Sequence, residues 1–141
     1  MSLARTLGVW LLILPLMVAN GIFRETVLAP SLGRSAADVA SAAIGIAIIL
    51  LVTMPFLRRA RDRSTAALAR VSVIWLVLTV AFEFLFGHYV DRKSWAELAE
   101  NYAIWRGNLW PLVLASLVLA PFIWGRWARR GVITQQRHRE G

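Results

Sequence analysis

The residues able to do chemistry in this chain are few, and most fall at one end of its apolar segments. Glu83 stands inside the hydrophobic run from Val71 to Val90. At about 1.5 Å per residue it lies roughly 18 Å along that run. A carboxyl at such a depth is costly unless paired, so it must face protein and find a partner there. Asn20 reaches about 21 Å along the run that starts at Thr6, at a matching depth. Arg24 is one helical turn beyond Asn20 on the same face, placed to reach back toward Glu83. Glu25, His88, Asp91, Tyr102, Arg106 and Asn108 belong to the same end. The cluster Asn20, Arg24, Glu25, Glu83, His88, Arg106 and Asn108 is the candidate site.

Two roles fit it. In one, Arg24 and Glu83 form a buried pair with Asn20 as hydrogen-bond glue, fixing helix register at about 0.6–2 kcal/mol per contact. In the other, the cluster lines a cavity for a polar headgroup, an ion or a small solute. Other chemistries have too few residues. Of the two histidines, only His88 lies near an apolar run, so the facing pair that would hold a membrane haem is missing. His88 with Glu83 or Asp91 gives two ligands where a metal site needs more. With zero cysteines there is no thiol catalysis, iron–sulfur cluster or thiolate zinc site. No Ser–His pair at one depth and no Gly-rich phosphate loop appears. The expectation is no metal and no cofactor.

The elements that position these residues follow from composition. The chain has 141 residues, 58% of them hydrophobic and only 17% charged, against roughly 25% charged in soluble domains. A soluble domain this small buries too little surface to hide so much apolar side chain. A bilayer crossing takes about 20 apolar residues, and four runs qualify, at about 6–28, 37–57, 66–90 and 108–127. Helices alone satisfy the backbone in such an environment. The fold class is therefore all-α: a membrane four-helix up-and-down bundle in a single domain over 1–130, followed by a basic cytoplasmic tail over 131–141 without regular structure. Arg5 ahead of the first run and Ala19-Asn20-Gly21 within it give that run a signal-like look, read here as a retained signal anchor.

Lys and Arg set the orientation. Arg5, Arg58, Arg59, Arg61, Arg63, Arg70, Arg126, Arg129, Arg130, Arg137 and Arg139 fall on one side, and Arg24, Arg34, Arg92, Lys93 and Arg106 on the other. The first side should be cytoplasmic, with both termini there. Seven tryptophans suit the two interfaces, with Trp10, Trp75, Trp124 and Trp127 toward the cytoplasm and Trp95, Trp105 and Trp110 toward the outside. Arg58, Arg59, Arg61, Arg63, Arg129 and Arg130 are candidates for contact with anionic lipid, at about 1 kcal/mol each. No domain is present that would present this charge to nucleic acid.

Between the third and fourth runs, Ser94 and Glu97 have capping-box spacing. Trp95, Leu98, Ala99, Tyr102 and Trp105 then share one stripe, predicting a short periplasmic interfacial helix over about 94–105 with its aromatics turned inward. Pro15, Pro55 and Pro121 inside the spans predict kinks or local unwinding. In the second run Ser41 and Gly45, with Ala36, Ala40, Ala43 and Ala47, offer a small-residue face for close helix packing.

Three strings, Asn20-Gly21-Ile22-Phe23-Arg24-Glu25, Phe82-Glu83-Phe84 with Phe86-Gly87-His88-Tyr89, and Arg106-Gly107-Asn108-Leu109-Trp110, resemble those of small bacterial four-span integral membrane proteins without an assigned activity. The resemblance implies a four-span architecture and nothing about chemistry. Length and span number are also similar to the glutathione- and eicosanoid-metabolising membrane family, but the second run, Val39 to Leu57, lacks that family's charged and amide residues.

The expected role is a non-enzymatic accessory or scaffolding subunit of a complex in the bacterial inner membrane. Its partners would be the lipid bilayer, with anionic lipid on the cytoplasmic side, and other membrane subunits or itself. The alternative is a small transporter or lipid- or solute-binding protein using the polar cluster. A headgroup-modifying enzyme is third.

Overall fold

A computed structural model describes residues 2–139, and most of these are helical with no strand among them. Four helices are long and apolar enough to cross a bilayer, so the chain is a membrane protein built as an all-α bundle. Helix α1 runs Leu3–Leu32, α2 Arg34–Arg58 and α3 Thr65–Tyr89. The short helix α4, Trp95–Glu100, and a 3₁₀ turn, Ile104–Arg106, precede α5, Trp110–Arg139. The helix α5 thus continues through the stretch expected to be an irregular tail, up to 139; residues 140 and 141 lie outside the described residues. Gln and Arg are good helix formers, and once α5 is nucleated each added residue gains a backbone bond.

Helix ends carry the caps their residues suggest. Ser2 accepts from the Arg5 amide and Ser64 from the Ala67 amide, each satisfying one of the donors that a helix start leaves open. At α4 the capping box is complete: the Ser94 amide donates to Glu97 Oε2 at 2.7 Å and the Glu97 amide to Ser94 Oγ at 3.2 Å. That bond from Ser94 holds the exposed Glu97 carboxyl below its usual range.

The helices run unbroken through Pro15, Pro55 and Pro121. Unwinding occurs elsewhere, in a π-helical turn at Arg24–Leu28, closed by the Ala29 amide donating to the Arg24 carbonyl. The widened turn lies just before Pro30, whose ring would meet the Thr26 carbonyl in a regular α-helix. A single residue, Gly33, then joins α1 to α2. Its φ of 84° is a backbone state that L side chains adopt only with strain.

Packing is uneven around the bundle. α1 lies on α2, α2 on α5 and α5 on α3, whereas α1 and α3 touch less extensively. Helices α2 and α3, consecutive in the chain, both pack on α5 rather than chiefly on each other. The buried stripe of α2, Ala37, Ser41, Gly45, Ile49, Thr53 and Leu57, repeats every fourth residue and faces this interior. The apolar core joins Ile13, Ile49, Leu57, Leu68, Val71, Trp75, Val113, Leu117 and Ala120.

Indole N–H groups tie the helices together. Trp75 Nε1 donates to the Thr6 carbonyl at 2.9 Å and Trp10 Nε1 to Thr79 Oγ1 at 3.0 Å. Both pairs join α1 to α3 at the same sequence offset, so these helices run parallel. Trp124 Nε1 donates to the Leu50 carbonyl at 3.0 Å, between α5 and α2. Trp75 is 0% exposed, which corrects its expected place at an interface. Without water, an indole N–H needs an acceptor from the protein, and the Thr6 carbonyl inside the bundle provides one.

The α1–α2 contact depends on a missing side chain. A Cβ at Gly45 would lie 3.1 Å from Met17 Cε and 3.3 Å from Asn20 Nδ2, whereas at Gly8 it meets nothing within 4 Å. Gly45→Leu is expected to destabilise the bundle by about 1–3 kcal/mol. Gly8→Ala should be neutral or slightly stabilising, since alanine is the better helix former. Thermal unfolding in one mild detergent compares the two; equal midpoints would contradict the packing described.

Candidate functional site

Toward the end of the bundle that carries Glu83, a cavity of about 980 Å³ opens among α1, α2, α3 and α5. Its inner part is apolar, with Ile13, Ile49, Val113 and Leu117; its outer part holds Arg24, Glu25, Arg34, Asp38, Glu83, Asp91 and Lys93. The indole-to-Thr79 bond joins the two helices at the inner end, since Trp10 and Thr79 are both lining residues.

Glu83 sits in this wall, half-buried. Tyr102 Oη donates to Glu83 Oε2 at 2.5 Å and Trp110 Nε1 to the same oxygen at 2.7 Å. Asn101 Nδ2 donates to Oε1 at a longer 3.4 Å. These donors come from the segment after α4 and from the first residue of α5. Burial, reinforced by the Glu83 carboxylate as acceptor, pushes the Tyr102 phenol well above its ordinary value of 10. The phenol therefore keeps its proton and remains a donor. Among the described residues no ion pair reaches Glu83.

The expected pairing of Glu83 with Arg24 and Asn20 is thus corrected. Arg24 Nη2 lies 3.0 Å from Glu25 Oε1 and Arg24 Nε 3.8 Å from Asp38 Oδ1, while Arg34 Nη1 is 2.9 Å from Glu25 Oε2. The one-residue turn at Gly33 brings the start of α2 beside the end of α1, so these charges meet one another first. Being exposed, such pairs contribute about 0–1 kcal/mol. Asn20 is 8% exposed; its Nδ2 donates to the Ser41 carbonyl at 2.9 Å and its Oδ1 accepts from Ser41 Oγ at 3.3 Å. It joins α1 to α2, the nearer neighbour, instead of α3.

The other candidates divide similarly. His88 is not among the lining residues; it stacks on Trp95 with ring centroids 3.8 Å apart, and its Nδ1 bonds the Lys93 carbonyl at 2.9 Å. Arg106 pairs with exposed Glu100 at 3.3 Å, away from the cavity. Asn108 does border the cavity and donates from Nδ2 to the Glu100 carbonyl at 2.6 Å, holding the loop over it. Helix α4 covers this end but is shorter than expected, stopping at Glu100. Leu98, 2% exposed, docks where Gly87 leaves room for it, whereas Trp105 is 81% exposed and not turned inward. A turn at 101–103 and the following 3₁₀ segment break the helical stripe before Trp105 is reached.

Sequence reasoning placed Tyr102 at this end without giving it a role, and placed Trp110 at an interface. An indole or phenol close in depth to a lone intramembrane carboxyl was the available signal. At the opposite end, Arg58 lies over the Trp127 ring at 4.8 Å. Arg63 donates to the Arg58 carbonyl and Arg129 to the Arg63 carbonyl, so three of the six basic candidates converge. Arg59, Arg61 and Arg130 are exposed at the same end.

No protein-family model, curated protein or solved structure matches the chain.

Glu83 and Tyr102 can be tested as a unit by alkaline titration. In a Tyr89→Phe background Tyr102 is the single tyrosine, and its tyrosinate absorbance should rise only well above pH 10. Because the folded-state value is raised, the stabilisation from this phenol is complete below the ordinary value and is lost as pH climbs through the raised one. Adding Glu83→Gln should move the onset down toward 10. An unchanged onset would mean that the carboxylate does not hold the phenol.

Proposed function

We propose that this protein binds a small amphiphile inside the membrane, in the cavity among its helices, as a solute- or lipid-handling protein. The observation that carries this reading is the cavity itself: about 980 Å³, at the upper end of the roughly 300–1,000 Å³ that ligand pockets occupy. Its apolar inner wall suits an alkyl or ring portion, and the polar groups gathered around Glu83 suit a head group. The three strings that resemble small bacterial four-span proteins all border it, through Asn20 and Gly21, through Phe82, Glu83 and Phe86, and through Gly107 to Trp110. A scaffolding subunit draws support from the many exposed apolar side chains, but lipid contact accounts for those equally well.

The setting we infer is a bacterial inner membrane, with the basic end of the bundle at the cytoplasm and the cavity toward the periplasm, following the Lys and Arg asymmetry. The convergence of Arg58, Arg63 and Arg129 beside Trp127 supports contact with anionic lipid on the cytoplasmic side.

Gly21 borders the cavity, and a Cβ there meets nothing within 4 Å. Gly21→Phe should therefore fill part of the space with little effect on the unfolding midpoint. Titration of the nanodisc-embedded protein with bromododecanol should give saturable quenching of tryptophan fluorescence above the linear partitioning background. The variant should bind about tenfold more weakly or not at all, a loss of about 1.4 kcal/mol or more. Equal saturable quenching in both proteins would reject the cavity as the binding place.

A further inference from the structure

The two oxygens of Glu83 are used unequally. Oε2 takes the short bonds from Tyr102 and Trp110, at 2.5 and 2.7 Å, whereas among the described residues Oε1 has only the 3.4 Å bond from Asn101. Tyr102 is not a lining residue, while Asn101, Trp110 and Glu83 are. The carboxyl is thus anchored through one oxygen, leaving acceptor capacity on the other.

The same walls are aromatic. Trp10, Phe82, Phe86 and Trp110 all line the cavity with Glu83, with Phe82 stacked on Phe86 at 5.2 Å and edge-on to Trp10 at 6.4 Å. Ring faces attract cations, and most strongly where water is scarce. Lys93, also in the lining, acts on Glu83 at a distance, and among the described residues no ion pair reaches the carboxyl. A carboxyl oxygen so placed, in a wall shared with aromatic rings, is the chemistry that recognises an ammonium group. A metal ion would need more ligands, and among the described residues no three of His, Asp and Glu come together to hold one.

We propose that the ligand carries a protonated primary amine, which donates to Glu83 Oε1 while its apolar portion lies along the inner cavity. This rests on the cavity reading above and narrows it to amine-headed amphiphiles. The ammonium forms a charge-assisted bond that a neutral alcohol cannot match.

The test compares dodecylammonium, dodecanol and dodecanoate as competitors of bromododecanol on the wild-type protein in nanodiscs, with protein-free nanodiscs as the partition reference. Dodecylammonium should compete about tenfold to a hundredfold more strongly than dodecanol, and dodecanoate least. Glu83→Gln should erase most of that preference while dodecanol still competes. Asn101→Ala, which strips Oε1 of its own donor, should keep or raise it. Equal competition by amine and alcohol in the wild type, a preference that survives Glu83→Gln, or one that collapses in Asn101→Ala overturns the amine assignment and leaves the cavity reading standing. Absence of saturable binding by any of the three overturns both.

Discussion

The bonds from Tyr102 and Trp110 to one oxygen of Glu83 tie the outer half of α3 to two neighbouring parts of the chain 19 and 27 residues further on: the segment after α4 and the start of α5. A carboxyl placed inside a membrane bundle has no bulk water to satisfy it, so its partners must be protein groups, and every element supplying one is held in place by that need. The loop over the cavity follows from this. Asn108 bonds the Glu100 carbonyl, and Leu98 seats against Gly87, both close in sequence to the donors that Glu83 requires.

The rest of the bundle obeys the same constraint with neutral groups. Indole N–H groups of Trp10, Trp75 and Trp124 find acceptors on a neighbouring helix, and Ser72 Oγ donates to the Val118 carbonyl at 2.7 Å. Such bonds are individually modest within membranes, but each fixes a register that apolar contacts alone would leave free to slide. They also divide the molecule. Where Trp75 and Thr6 meet, α1 and α3 are joined over a packed core; beyond Trp10 and Thr79 the cavity separates them. α1 and α2, by contrast, stay in contact along Met17, Asn20, Ser41 and Gly45. The unequal packing that produces the cavity therefore comes from where small side chains permit close approach.

The cavity is mixed in character, and that is what makes a ligand reading physically reasonable. An apolar void of this size would be expected to close by helix shifts or to fill with lipid chains, and a fully polar one would draw in water. A carboxyl held chiefly through one oxygen, at the edge of aromatic walls, would give the proposed amphiphile a defined point for its head group and a slot for the rest.

Much of this architecture is legible in the residues themselves. Long apolar runs give four spans, the Ser94–Glu97 spacing gives the cap of α4, and Ser41 and Gly45 give part of the packing face of α2, whereas Ala36, Ala43 and Ala47, expected on that face, are exposed. These rest on local periodicity and transfer energies, which a sequence displays directly. The depth of Glu83 was equally readable, because rise per residue converts position into height. Its partners were not. Arg24 and Asn20 match Glu83 in depth, but depth leaves open which helices are neighbours, and the packing order, with α5 between α2 and α3, turns Asn20 toward Ser41. The turn at Gly33 gives Arg24 closer acids than Glu83. Only the tertiary structure decided that Tyr102, Asn101 and Trp110 hold the carboxyl, because lateral order in a bundle depends on side-chain fit between helices far apart along the chain.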